Sequence, residues 1–427
     1  MEPICVTSFG SFSIRSAALC LLLAIFGCVG RGEDPAAASA ACHDLSDPLA
    51  TAIQQPIAKG ELAGVVTLIA RVGEAPSLKA YGEMDLEAHR PMRTDALFRI
   101  ASMNKPLTCV AALKLVEAGR ISLDDPVTKY LPEFGQLRVL DPCQPAAPGG
   151  ALLKTMPVEH AMTVRDLFRH TAGFVYTITD TPVDRLYVDA GFREWKGSLK
   201  DFVQRLADMP LAFQPGTKWS YSYSIDVLGY LVEVVSGVPL NEYVKQEVFT
   251  PLHMHDTDYF VPAEKLDRLA NHYEFKDGSL HLVEPATQSP FRQLPPAPSG
   301  GGGWNDGYGG VVSTAEDLGR FLQMLLNYGE LDGVQILRRN TVELMISDQI
   351  SGIQERSFAV SGYGLGIGVK SDPAQPGRVL RVYWAGGPYN TYFFADFDRR
   401  MYGVFLTQTA PFGHLDIRRR FGELAGQ

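Results

Sequence analysis

The sequence predicts an α/β (α+β) fold in which both ends of the chain build one sheet domain and a mainly helical domain is inserted between them. Three observations carry this. Strand-like segments lie at 65–70 and 96–100, residues 150–290 carry mostly helical patterns, and strands return at 380–384, 391–396 and 401–408. Short continuous apolar runs suit strands covered on both faces, and apolar positions three and four apart mark helices. The expected division is 45–150 with 300–427 for the α/β domain and 151–299 for the insertion. The cleft between the two is the natural place for a site.

The first 30 residues read as a signal peptide. Arg15 precedes an apolar run from Ala17 to Val29, followed by Arg31-Gly32-Glu33-Asp34. That run is short for a membrane span and right for an export signal, which implies a periplasmic or secreted protein. Ile25-Phe26-Gly27-Cys28 faintly resembles a lipoprotein box, so membrane attachment would require lipidation of Cys28. Cys5, Cys20 and Cys28 fall in this leader, which leaves Cys42, Cys109 and Cys143, too few for a disulfide scaffold.

Val65 to Ala70 reads as a buried strand, and Ser102 to Ala118 as a helix ended by Gly119. Pro106 is tolerated because amides in a first helical turn have no helical partner to lose. Val164 to His170, Leu199 to Met209 and Ile225 to Val235 follow as helices. The Pro- and Gly-rich stretch 294–303 cannot hold regular structure. Thr314 to Asn327 then reads as a helix with Thr314 as N-cap and Asp317 three residues on, close to a capping box.

Hydrophobic residues make up 46% of the 427 residues and charged residues 20%, enough apolar material for a large core. A formal net charge of −9 with no basic cluster argues against nucleic acid as a partner. His253-Met254-His255-Asp256 has no further ligands beside it in sequence and reads as a polar loop, so no metal is expected. No serine has glycine on both sides at two residues' distance, which removes the α/β-hydrolase elbow.

The chemistry starts at Ser102-Met103-Asn104-Lys105. A serine alcohol needs a neighbouring base to become a nucleophile, and a spacing of three on a helix puts serine and lysine on one face. Lysine serves as that base only if burial or a positive neighbour lowers its pKa. On its own, Ser-x-x-Lys is expected by chance about once in a chain this long.

Its company makes it specific. Phe98-Arg99-Ile100-Ala101-Ser102-Met103-Asn104-Lys105 is followed by Leu123-Asp124-Asp125-Pro126-Val127 and Tyr130-Leu131-Pro132. Leu167-Phe168-Arg169-His170-Thr171-Ala172-Gly173-Phe174 and Phe213-Gln214-Pro215-Gly216-Thr217-Lys218-Trp219-Ser220-Tyr221-Ser222 come next, then Ser313-Thr314-Ala315-Glu316-Asp317. In this order the segments resemble the class C β-lactamase-like serine hydrolases of the penicillin-recognising superfamily, from about residue 60 to 410. The resemblance implies a β-lactamase/transpeptidase-like fold with an antiparallel sheet, and no cofactor. It also implies Ser102 as nucleophile, with Lys105 and Tyr221 moving the proton. A phenol would do so near neutral pH if the Lys105 cation lowered its pKa. The alternative reading makes Trp219, Tyr221 and Tyr223 alternating residues of a half-buried strand, and it suits Trp219 and Tyr223, which lack a motif role, better than Tyr221. His170 reads as structural, capping or cross-linking a helix end.

Two departures from the β-lactamase pattern point to esters. The family's Tyr-x-Asn is here Tyr221-Ser222-Tyr223, and its Lys-Thr-Gly is replaced by Tyr383-Trp384-Ala385-Gly386-Gly387-Pro388. The latter resembles the Trp-Gly-Gly of the family VIII carboxylesterases. Trp384 offers bulk and an indole N–H but no positive charge, which suits an uncharged small-molecule ester better than an anionic lactam. Asn104, Tyr223 and Trp384 are the expected substrate-binding residues. The residue after the third motif is implied to complete the oxyanion hole with the Ser102 amide. Reading the motif as Trp384-Ala385-Gly386 puts Gly387 there; the alternative register would put Pro388 there, which has no N–H to give. The expectation is an exported carboxylesterase acting through an acyl-serine. A β-lactamase, a D-amino-acid peptidase and a catalytically silent wall-binding or sensor protein are the alternatives.

Overall fold

Met401-Tyr402-Gly403-Val404-Phe405-Leu406 has no polar face, and all six residues are buried. Such a strand must be covered on both sides. The computed structural model describes residues 47–141, 153–176, 181–293, 299–301, 310–357, 360–375 and 377–425. The expected leader, Cys42, Cys143 and most of 294–303 lie outside the described residues.

Seven strands form one antiparallel sheet. They are β1 (Gly64–Arg71), β2 (Ser77–Asp85), β3 (Arg90–Pro91), β4 (Gly368–Ser371), β5 (Val379–Gly386), β6 (Thr391–Asp396) and β7 (Met401–Leu406). The spatial order is β4-β5-β6-β7-β1-β2-β3, so the two halves of the chain join where β1 pairs with β7, Val66 opposite Leu406 and Arg71 opposite Met401.

The helices, in chain order, are α1 (Pro48–Ala58), α2 (Asn104–Glu117), α3 (Val164–Phe168), α4 (Pro182–Asp189), α5 (Leu199–Ala207), α6 (Ser224–Ser236), α7 (Leu240–Val244), α8 (Ala315–Leu326), α9 (Arg339–Ile346) and α10 (Ile417–Leu424). Because strand side chains alternate, the sheet feeds two cores. Val65, Phe394, Met401 and Phe405 pack with Leu49 and Ile53 of α1 and with Ile417 and Phe421 of α10. Val66, Leu68, Phe393 and Val404 belong to the larger core, with Leu318 and Phe321 of α8. Phe421 is wholly buried with ring centres 5.5 Å from Phe405 and 5.9 Å from Phe394, a burial that contributes about 2–3 kcal/mol. The larger core runs on through α2 and α6, which pack against each other.

Three local expectations need correction. The helix expected from Ser102 begins as a 3₁₀ turn, Ala101–Met103, and becomes α-helical only at Asn104. Ala101 takes a positive φ of 44°, which turns the chain from the extended Phe98–Arg99 into that helix. Secondly, the expected helical stretch to residue 290 contains a hairpin, His272–Lys276 with Ser279–Glu284. Its turn is Asp277-Gly278 with both φ positive, the signature of a type I′ hairpin. Parallel pairing of Thr409 with Tyr273 ties it to the chain beyond β7. Thirdly, Thr314 caps α8 by accepting from the Asp317 amide, but the Asp317 carboxylate turns away to Thr257 Oγ1 and the Asp256 amide, both at 2.8 Å. No described helix is long and apolar enough to cross a membrane.

Candidate active site

Ser102 is half-buried on the 3₁₀ turn between β5 and α2. The turn is fixed from behind. Phe98 and Arg99 pair with Ser313 and Val312, and the Ile100 amide donates to the Val311 carbonyl at 3.0 Å. Arg99, wholly buried, donates to Ala270 O at 2.8 Å and to Gln408 Oε1 at 3.1 Å, while Gln408 Nε2 returns a bond to Arg99 O. Gly386 closes the other side. A Cβ there would lie 2.4 Å from the Ile100 carbonyl oxygen, so only glycine lets β5 come this close to the serine turn.

Lys105, one turn along the helix, is wholly buried with Nζ 3.2 Å from Ser102 Oγ. Tyr221 Oη donates to the same Oγ at 2.6 Å. Lys105 Nζ also donates to the carbonyl of Gly301 and lies 4.6 Å from the ring centre of Tyr221 and 5.2 Å from that of Tyr176. The structure therefore brings Ser102, Lys105 and Tyr221 together.

Tyr221 is not part of a regular strand. Its segment is an extended link into α6, held on both sides by one residue: the Ser220 amide donates to His170 O at 2.9 Å and the Ser222 amide to His170 Nδ1 at 3.2 Å. His170 sits beyond the end of α3 with φ of 58°, and its ring centre is 4.9 Å from that of Tyr221. Burial and the Lys105 charge hold it neutral. Accepting from Ser222 at Nδ1 places its proton on Nε2.

The electrostatics reverse one expectation. Burial pushes the Lys105 ammonium down to about 7, because an isolated buried charge is costly. Burial also pushes the Tyr221 phenol above its usual value, not below it. Lysine is thus the group able to lose its charge near neutral pH, and the tyrosine stays a phenol.

The expected substrate-binding residues divide. Trp384 lies on β5, its ring centre 5.8 Å from Tyr221, with an indole N–H buried and without a protein acceptor among the described residues. Gly387 opens the turn Gly387–Tyr389, and the nearest atom to a Cβ placed there is Phe412 Cδ2 at 3.9 Å. Asn104 and Tyr223 do not reach a surface. Asn104 is wholly buried and donates to the carbonyls of Ser299, at 2.8 Å, and Gly300. Tyr223 is 2% exposed among Tyr176, Tyr187, Phe192 and Phe202. Both side chains thus hold neighbouring segments from within the core.

Sequence reasoning missed Tyr176, Tyr363 and Asp226 in this place. Tyr363, wholly buried, puts its ring 5.2 Å from Trp384 and 5.4 Å from His170. Tyr176 follows His170-Thr171-Ala172-Gly173-Phe174 by two residues, and that proximity was its one signal.

The chain is similar to known proteins over most of its length. The Beta-lactamase family matches residues 49–427. Protein Rv1367c of Mycobacterium tuberculosis is 34% identical over 368 residues, covering 82% of this chain and 87% of that protein. Esterase EstB of Burkholderia gladioli is 32% identical over 392 residues, covering 88% and 94%. Among solved structures, EstCE1, a hydrolase with promiscuous acyltransferase activity, superposes with a TM-score of 0.68 at 27% identity, covering 88% of this chain and 96% of that one. The chain therefore belongs to the β-lactamase family, as a serine hydrolase on the carboxylesterase side of the penicillin-recognising superfamily.

Proposed function

We propose that the protein is an exported carboxylesterase that hydrolyses short-acyl esters through an acyl-Ser102 intermediate. The observation that carries this is one oxygen, Ser102 Oγ, held 3.2 Å from a buried lysine amine and 2.6 Å from a tyrosine hydroxyl. Neutral Lys105 takes the serine proton as Oγ attacks the ester carbonyl. The alkoxide leaves with a proton delivered through Tyr221, and water then releases the acid by the same path in reverse. The amides of Ser102 and Gly387 receive the oxyanion in this reading. The apolar run Ala17–Val29 supports export.

The preference for esters follows from charge. Trp384 stands on the strand beside the serine, where a lactam carboxylate would need a cation. Losing such a contact weakens binding by about 1.5–3 kcal/mol, the worth of a hydrogen bond to a charged group. Chromogenic esters assayed beside a chromogenic cephalosporin test this: esters should lead in kcat/KM, with slow cephalosporin turnover allowed. Efficient lactam hydrolysis without ester activity would reverse the reading.

The rings of Tyr176, Tyr221, Tyr363 and Trp384 form one contact cluster beside Ser102, and this favours a second reaction, acyl transfer to an alcohol in place of water. The product ratio with a primary alcohol added to the ester assay measures it.

A further inference from the structure

Ser299-Gly300-Gly301 runs between α2 and α6 and touches both. From α2, Asn104 Nδ2 donates to Ser299 O at 2.8 Å and Thr108 Oγ1 to Gly300 O at 3.0 Å. From α6, the Asp226 carboxylate accepts at Oδ1 from Ser299 Oγ at 2.6 Å and from the Gly301 amide at 3.1 Å. The fit leaves no room for side chains. A Cβ on Gly300 would stand 2.4 Å from the Ile225 carbonyl oxygen, and one on Gly301 would stand 2.3 Å from Asp226 Oδ2. The Gly301 carbonyl, at the end of this strut, accepts from Lys105 Nζ.

Asp226 is wholly buried, and its Oδ2 has no hydrogen-bond partner among the described residues. A carboxylate in that position is costly unless something compensates for it. Two donors on one oxygen and the amine held by the carbonyl of the same Gly301 supply the compensation.

We propose that Asp226 is a positioning residue for Lys105: by gripping Ser299-Gly300-Gly301 between the two helices it aims the Gly301 carbonyl at the lysine amine, and its charge sets how readily that amine is protonated. The inference rests on Lys105 being the base for Ser102. The groups facing that amine are Asp226 of α6, Cys109 of α2 itself, Tyr221 and Tyr176 through their rings, and His170. Of these, Asp226 carries the negative charge that favours the protonated amine, against the larger effect of burial.

The test is the pH dependence of kcat/KM for a chromogenic acetate ester in the full chain. Activity should rise as Lys105 loses its proton. Asp226→Asn keeps the shape and removes the charge, so the rising limb should move to lower pH by about half a unit or more. Ser299→Ala keeps the charge and removes one grip on it. It should lower kcat by about three- to tenfold, with the limb in place and KM little changed. A purely structural Asp226 would lower activity without moving the limb, and that result overturns the proposal, as does unchanged kcat in Ser299→Ala. If Asp226→Asn does not fold, the Ser299→Ala result decides. Fluorophosphonate labelling of the wild type separates the two layers: a wild type not labelled at Ser102 refutes the underlying site, whereas labelling with an unmoved limb refutes only the role of Asp226.

Discussion

The two sides of Ser102 are built differently. On the helical side, Lys105, Tyr221, His170, Asn104, Thr108 and Asp226 form a buried polar assembly in which nearly every group is held by a named partner. On the strand side, Trp384, Gly387 and Phe412 present bulk, an open backbone and an aromatic ring, none of the three charged, with the Arg418 guanidinium stacked on Phe412. The contrast separates two requirements. Proton transfer depends on distances of about 3 Å and shifted pKa values, which only a rigid, desolvated network maintains. Substrate choice needs shape and the absence of the wrong charge, which a strand end and a loop supply.

The comparison breaks most severely at the shared oxygen. Ser102→Ala should lower ester hydrolysis by at least about a thousandfold while leaving the melting temperature near wild type, since one hydroxyl is removed from a half-buried turn. A fluorophosphonate should label the wild type at Ser102 alone, read by mass spectrometry. Activity surviving in the alanine variant would end the assignment.

The strand side is next. Gly387→Pro removes a proposed oxyanion donor and should cost roughly 10²–10³ in kcat, while Pro388→Ala, one residue on, should be mild. Equal effects of the two would show that the turn Gly387–Tyr389 matters only as a turn.

The helical side is sharpened by pH. With Lys105 pushed down to about 7 and needed neutral, kcat/KM should rise as pH increases through about 7 and fall about tenfold per unit below it. Lys105→Arg, whose guanidinium keeps its proton, should be inactive across the range. A wild-type limb near pH 10 would mean that the lysine is not desolvated.

The smallest effect is expected at Phe412. Its ring is 57% exposed, near Gly387, and lies 3.8 Å under the Arg418 guanidinium. Phe412→Ala should change the ranking of esters by acyl or alcohol size a few-fold, less than the roughly 1–3 kcal/mol of a buried apolar contact because the ring is more than half exposed, and leave the acetate ester nearly unaffected. A uniform loss for all esters would place Phe412 in support of the turn.

Much of this was legible before any fold was known. The strands at 65–70, 380–384 and 391–396 and the helix opening at Thr314 declare themselves by mainly apolar runs and a cap. Ser102, Lys105 and Tyr221 were legible by motif, and the structure brings them within hydrogen-bonding distance. The hairpin at 272–284 was missed although Asp277-Gly278 is a strong turn signal, because its flanking residues alternate weakly and Leu282 and Val283 are exposed. The depth of Asn104 and Tyr223 was not legible, because a motif position gives chemistry and sequence order but not distance below the surface.

What the sequence determined by itself is local: which segments must be covered on two faces, where helices can start, and which residue types could make a serine nucleophilic. Only tertiary structure decided the electrostatics. The Lys105 ammonium is pushed down to about 7 by its burial, with the rings of Tyr176 and Tyr221 against it, and the phenol that a nearby cation was expected to acidify is held protonated by burial as well. Ser299-Gly300-Gly301, unreadable as structure in a glycine run, gains its place because α2 and α6 approach so closely that only bare backbone fits between them. Desolvation and close approach are properties of what surrounds a residue, and that surrounding is assembled from parts of the chain as far apart as Asn104 and Gly301.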